Sequence, residues 1–162
     1  MNSIIIKSSV LAQQINGNTA KYLAYREAWT RIKEGQKQGF YLEAITIEES
    51  IISDRLNSYF RNVLEIEKKP KTFYEIGKIW REYHPEIITS VDYNDLISAL
   101  DEWRKERNKA IHNIVHSDTH VDRSIENFLS NTKTVAEDGE KLTRMISQWC
   151  DKKIKDKFSH KS

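Results

Sequence analysis

Apolar residues return along most of this chain at three-, four- and seven-residue intervals, the spacing of helices that bury one face. The clearest run is Phe40 to Lys68, where Ile45, Ile52, Leu56, Tyr59, Phe60 and Val63 form the inward stripe and Glu48, Glu49, Asp54 and Arg55 interrupt it with charge. Lys69-Pro70-Lys71 ends it, because proline lacks the backbone N–H and restricts the residue before it. An earlier helix is predicted from Thr19 to Lys37, with Thr19 as cap, Leu23, Trp29 and Ile32 inward, and Gly35 and Gly39 closing it. Thr72 to Tyr83 gives a short helix with Phe73, Ile76, Ile79 and Trp80 inward, stopped by Pro85. Ile87 and Ile88 carry the apolar run into a loop, and Ser90 is expected to open the next helix, with Asp92 in its first turn. Leu96, Leu100, Trp103, Ala110, Ile111 and Ile114 are its inward positions. Ser117 to His120 reads as a polar connection. Val121 to Lys155 is the last helix, carrying Ile125, Phe128, Leu129, Val135, Leu142, Ile146 and Trp149, with Gly139 weakening or bending its middle.

The pattern predicts an all-α bundle of four main helices over residues 19–155. Residues 1–18 end in the turn signal Asn16-Gly17-Asn18 and read as an N-terminal arm or short helix. Residues 156–162 are a basic C-terminal tail, part of a twelve-residue end with five Lys against two Asp. The 162 residues suit one domain, and only 5 Gly and 2 Pro argue against a turn-rich all-β fold.

Formal net charge is +2, so the whole chain does not announce a nucleic-acid binder; a basic surface has to come from local clustering. The lone Cys150 forbids an intrachain disulfide and follows Trp149 on an apolar stripe, which predicts a buried, inert thiol in a reducing compartment. Ile4 to Ile6 is too short an apolar run for a membrane span or a signal peptide. A cytoplasmic protein without membrane contact is expected.

The stretch Trp103 to His116, WRKERNKAIHNIVH, holds the residues that carry chemistry. RNA contains its own nucleophile, the 2′-hydroxyl beside each phosphodiester, so cleavage requires no metal or cofactor. It requires a group that moves protons near neutral pH, as His112 does. It also requires a fixed cation for the charge that builds on phosphorus, as Arg107 is, and Asn108 adds an amide able to orient either group. Asn108 and His112 share a helix face, whereas Arg107 and His112, five apart, lie roughly 140° apart around an ideal helix. Two copies related by a twofold axis would bring the groups to one cleft, so the chemistry predicts a homodimer, or a partner carrying a second such helix.

An all-α bundle with this R-N-x-x-x-H element near the end of a late helix resembles the HEPN superfamily (higher eukaryotes and prokaryotes nucleotide-binding). The resemblance covers roughly residues 20–150 and implies an HEPN-like bundle with no cofactor or bound metal. It implies a metal-independent endoribonuclease of toxin–antitoxin, abortive-infection or other antiviral-defence type, with an antitoxin or defence partner. Arg107 and His112 match the motif's Arg and His, which meet across a dimer, and Asn108 matches the polar residue beside the Arg. The stretch Glu43 to Leu56 looks like the acidic early helix of such domains, with no single acid assignable to a role. Members paired with nucleotidyltransferase antitoxins often carry Tyr two residues after the His; Ile114 stands here, so regulation by AMP transfer is not implied.

Each feature has a plainer reading. R-x-x-x-x-H also arises by chance in helical proteins, and a non-catalytic RNA-binding or dimerisation module would keep the same residues. His112, His116 and His120 recur every four residues and suggest a metal face, but no H-E-x-x-H partner motif accompanies them. His116 reads as cleft rim or structural. Arg104, Lys105 and Lys109, and separately Arg61, Lys68, Lys69 and Lys71, could follow an RNA backbone. Glu102, Glu106, Glu65 and Glu67 sit among them, so ion pairs within the helices compete with that role. Tyr41, Tyr59, Trp80 and Trp103 read as core, with Trp103 also placed to brace Arg107 four residues on.

Overall fold

A computed structural model describes residues 2–112 and 125–159, with side chains from Gly17 onward. The described residues form five helices: α1 (Asn2–Gln38), α2 (Tyr41–Asn62), α3 (Phe73–Tyr83), α4 (Leu96–His112) and α5 (Ile125–Ser159). The all-α expectation is met. The largest interface joins α2 to α5; α1 lies mainly on α2, α4 lies on α5, and α3 bridges α2 and α4. Ile45, Ile52, Leu56, Tyr59 and Phe60 of α2 meet Leu142 and Ile146 of α5 in a core closed by Ile32, Trp80, Leu100 and Trp103.

Several boundaries depart from the sequence pattern. Asn16-Gly17-Asn18 is no break: α1 runs through it from Asn2, and Thr19 sits inside the helix instead of capping it. A glycine within a helix costs only about 1 kcal/mol, too little to interrupt a long run. Gly39 alone ends α1, at φ +79°. Phe40 N–H donates to the Gly35 carbonyl at 2.7 Å and Gly39 N–H to that of Gln36 at 3.3 Å, a Schellman closure. Gly35 lies inside α1 against the Phe40 carbonyl and Ala44.

Leu23 is exposed, because it lies nine residues from the buried Ile32 and so roughly 180° around the helix. Tyr25, seven residues before Ile32, is the residue that packs. Ile111 and Leu129 are exposed although their spacing from buried Leu100 and Ala136 is an inward one; each lies near an end of its helix. Ile125, in the first turn of α5, is exposed as well. Ile114, His116 and the connection 117–120 lie outside the described residues, as do 160–162.

Thr72 caps α3, its hydroxyl accepting from Glu75 N–H at 3.2 Å. Ser90 caps a turn, accepting from Tyr93 N–H, and does not open α4. Asp95 does. Its carboxylate accepts from Ser98 N–H and from Ile88 N–H and is ion-paired with Arg81. Burial alone would raise the Asp95 carboxyl; Ser98, Arg81 and the Ile88 N–H outweigh it and hold it well below the usual range. The end read as a basic tail is helical to Ser159, and Lys157 donates to the Val63 carbonyl at 2.9 Å and pairs with Glu65. It thereby satisfies the C-terminus of α2, where a cation is favoured.

Gly139 does not break α5, which is continuous through it. It is buried where α2, α4 and α5 meet, and a Cβ there would fall 2.1 Å from Glu48 Oε2 and 2.8 Å from Trp103 Nε1. Cys150 is buried, and burial pushes its thiol pKa upward, as an inert core thiol requires.

Candidate nucleic-acid site at the end of α4

The inward side of α4 is pinned before its functional residues begin. Trp103 is buried and donates from Nε1 to the Val135 carbonyl of α5 at 2.9 Å, fixing the rotation of the helix. One turn later Arg107 emerges toward α2 and α3. Its side chain is only 16% exposed and forms an ion pair with Glu49 of α2. Nη1 donates to Asn108 Oδ1 at 2.6 Å, and the guanidinium lies 5.7 Å from the Phe73 ring centroid of α3. Phe73 in turn packs edge-on to Trp103 at 6.0 Å. The expected brace is therefore indirect: Phe73 carries the cation, and Trp103 supports Phe73.

The Arg107–Asn108 bond gives the amide a definite task, since it turns the guanidinium toward the Asn108 face of the helix. By helix geometry His112 lies on that same face one turn later. It is exposed in the last described turn of α4. Arg107, Asn108 and Glu49 are thus gathered by the fold, while His112 stands beyond them toward solvent. Glu49 is the group the sequence could not single out among the acids of Glu43 to Leu56. It lies 58 positions from Arg107, and no periodicity announces such a pair.

The cations flanking the motif are engaged. Arg104 donates from Nε and Nη2 to Asp101 Oδ1 at 3.1 and 2.8 Å and lies over the Tyr74 ring. Lys105 pairs with the other Asp101 oxygen at 2.7 Å, and Lys109 pairs with Glu106 at 2.6 Å. Bonding from Lys105, and then from Arg104, holds the Asp101 carboxyl below its ordinary range despite partial burial. For these three residues the intrahelical ion-pair reading is the one observed. His116 falls outside the described residues. Among the described residues no group of three or more His, Cys, Asp or Glu side chains is placed to hold a metal ion. None of the described helices is long and apolar enough to cross a membrane.

A second acid of α2 sits beside the site. Glu48 is fully buried, and neither carboxyl oxygen has a hydrogen-bond partner among the described residues. Burial, followed by the nearby Glu140 carboxylate, pushes its pKa to about 9. Gln36 is near enough to oppose that shift, yet its amide donates to the Ala136 carbonyl at 3.2 Å. Glu48 is therefore neutral at pH 7, one residue from the carboxylate that holds Arg107.

Comparison with family models, with curated proteins and with solved structures finds no match, so the likeness to HEPN proteins rests on the R-N-x-x-x-H element and the helical pattern alone.

Proposed function

We propose that the chain is a metal-independent endoribonuclease of HEPN type. The observation that carries this reading is the fixation of Arg107 by Glu49, Asn108 and Phe73 on the helix that also presents His112. A preorganised cation, with a proton-transferring imidazole farther along the same helix, suits phosphoryl transfer, because little reorganisation of the cation is required as charge builds on phosphorus. In the step proposed, the 2′-oxygen attacks phosphorus while His112 takes its proton. The P–O5′ bond breaks, the 5′-oxygen is protonated, and a 2′,3′-cyclic phosphate remains. Arg107 stabilises the phosphorane through the guanidinium N–H donors that Asn108 and Glu49 leave over, while those two keep it in place. A second copy would supply the other proton-transfer group, as a homodimer. A cytoplasmic toxin or phage-defence component, with an antitoxin or defence partner, fits such an activity.

The test uses purified protein and end-labelled RNAs in EDTA. Wild type is expected to release 2′,3′-cyclic phosphate ends, with His112→Ala reducing the rate at least ~100-fold and Arg107→Lys also impairing it, since a point charge does not replace the fork. Equal cleavage by wild type and His112→Ala, or no cleavage of any RNA, overturns the reading.

A non-catalytic interaction module is the second reading. It is favoured by the neutralised cations of α4 and by Ile111, Ile125 and Leu129, exposed at the facing ends of α4 and α5. In that case Arg107→Ala leaves partner binding intact, while Ile125→Ser with Leu129→Ser weakens it.

A further inference from the structure

Two groups of cations near the Arg107 site differ in their partners. Arg104, Lys105 and Lys109 of α4 are paired within their own helix. Arg61, at the end of α2, and Lys68, Lys69 and Lys71, in the α2–α3 connection, are exposed and form no ion pair with any described residue. The acid expected to neutralise them is diverted, since Glu65 pairs with Lys157 of α5. Its backbone adopts φ 59°, a left-handed conformation that turns the chain sharply after α2.

These four residues line a groove of about 690 Å³ between α2 and the connection to α3. Glu49 and Phe73, the two groups that hold Arg107 from outside α4, line the same groove. Of its acids, Glu49 is paired with Arg107 and Asp54 with Lys21, which leaves Glu67 opposing four cations. Ser53 and Asn57 add uncharged donors along the wall. The groove is therefore polar, net positive and continuous with the Arg107 site. Its volume is that of a drug-sized ligand site, and it is open to solvent along the cations, so a strand longer than its enclosed part can run through it.

We infer that this groove binds the phosphate backbone of single-stranded RNA, with Arg61, Lys68, Lys69 and Lys71 neutralising successive phosphates and leading the strand to Arg107. The identity of the strand rests on the ribonuclease reading. The anion-binding character rests on the unpaired cations and their concave setting, which suits a threaded chain better than a flat lipid surface. Non-specific affinity of this kind arises from counterion release and falls steeply with salt.

The experiment measures binding of a fluorescent 2′-O-methyl oligoribonucleotide by anisotropy across a salt series. This probe lacks the attacking hydroxyl, so binding is read without cleavage. The variant combines Arg61→Gln, Lys68→Gln, Lys69→Gln and Lys71→Gln; all four are exposed, and circular dichroism checks its fold. A control removes equal charge from exposed positions of α5, with Lys133→Gln, Lys141→Gln, Lys152→Gln and Lys155→Gln. The groove variant is expected to bind at least ~10-fold more weakly near 0.1 M salt, its log–log salt slope shallower by about 3, or ~0.7 for each phosphate left without its cation. The control is expected to lose far less.

An unchanged slope, or an equal loss in the control, overturns the proposal. So does binding of phosphatidylserine-containing vesicles, and not of the oligonucleotide, through the same four residues. If wild type binds the probe through the groove but leaves ordinary RNA intact, the ribonuclease reading fails and the groove stands. If RNA is cut at the wild-type rate by the groove variant, the groove fails and the ribonuclease reading stands.

Discussion

Replacing Glu48 with Gln should remove most of the pH dependence of folding between neutral and alkaline solution. In the folded chain both carboxyl oxygens are buried without a hydrogen bond to any described residue, and burial raises the pKa to about 9 from the ordinary 4.5. The folded state therefore retains a proton that the unfolded state has released. Stability then falls as pH rises from the unfolded value through the folded one, and the loss is complete above about pH 9. At about 1.4 kcal/mol per unit, the gap sets an upper bound on the order of 6 kcal/mol, less whatever structural relaxation and water entry recover. Between pH 6 and 9, wild type should lose roughly 2–4 kcal/mol. The assay is urea denaturation at 25 °C followed by circular dichroism at each pH. Glu48→Gln should give a nearly flat profile and be the more stable protein at pH 8–9. Glu48→Leu should behave likewise, because it also leaves no ionisable group in the core. The raised tyrosines, Tyr25 and Tyr59, titrate well above this window, and the buried Cys150 thiol adds a smaller fall near pH 9 that wild type and both variants share, so the comparison stands. Parallel pH profiles for wild type and Glu48→Gln would show that Glu48 is charged or solvated in the folded chain and would sink the reasoning.

The same junction makes Gly139→Ala unfavourable despite the helix propensity gained, about 1 kcal/mol. The added Cβ must displace Glu48 and Trp103, so a net loss of roughly 1–3 kcal/mol is expected in urea denaturation, and a gain in stability would refute the close approach. Asp95→Asn should cost about 1–3 kcal/mol at pH 7 through the loss of the Arg81 ion pair at the start of α4. Because the Asp95 carboxyl is held low, its contribution is present above the ordinary aspartate range and disappears as pH falls through the folded value. Wild type should accordingly lose more stability than the variant between pH 4 and pH 2, as measured by urea denaturation.

The sequence by itself determined the helical class, the inward stripe of α2, and the placement of Arg107, Asn108 and His112 on one late helix. These follow from local periodicity, because a residue's position around a helix depends only on its spacing from its neighbours. For Leu23 the angular spacing already excludes an inward position, whereas Ile111 and Leu129 are in phase with buried Leu100 and Ala136 and are exposed near helix ends. Asp95 as the cap of α4 is also a local signal, with Ser98 three residues on, although Ser90 competes with it as a cap. Only the tertiary structure decided the rest. It joined Arg107 to Glu49 across two helices, set Phe73 instead of Trp103 beneath the guanidinium, and buried Glu48 while leaving its neighbour Glu49 partly exposed. It also diverted Glu65 to Lys157, and Arg61 and the lysines of the α2–α3 connection are left without an ion pair among the described residues. Such pairings depend on which helix faces meet, and a charge pattern along one helix does not encode the partner that another helix will bring to it.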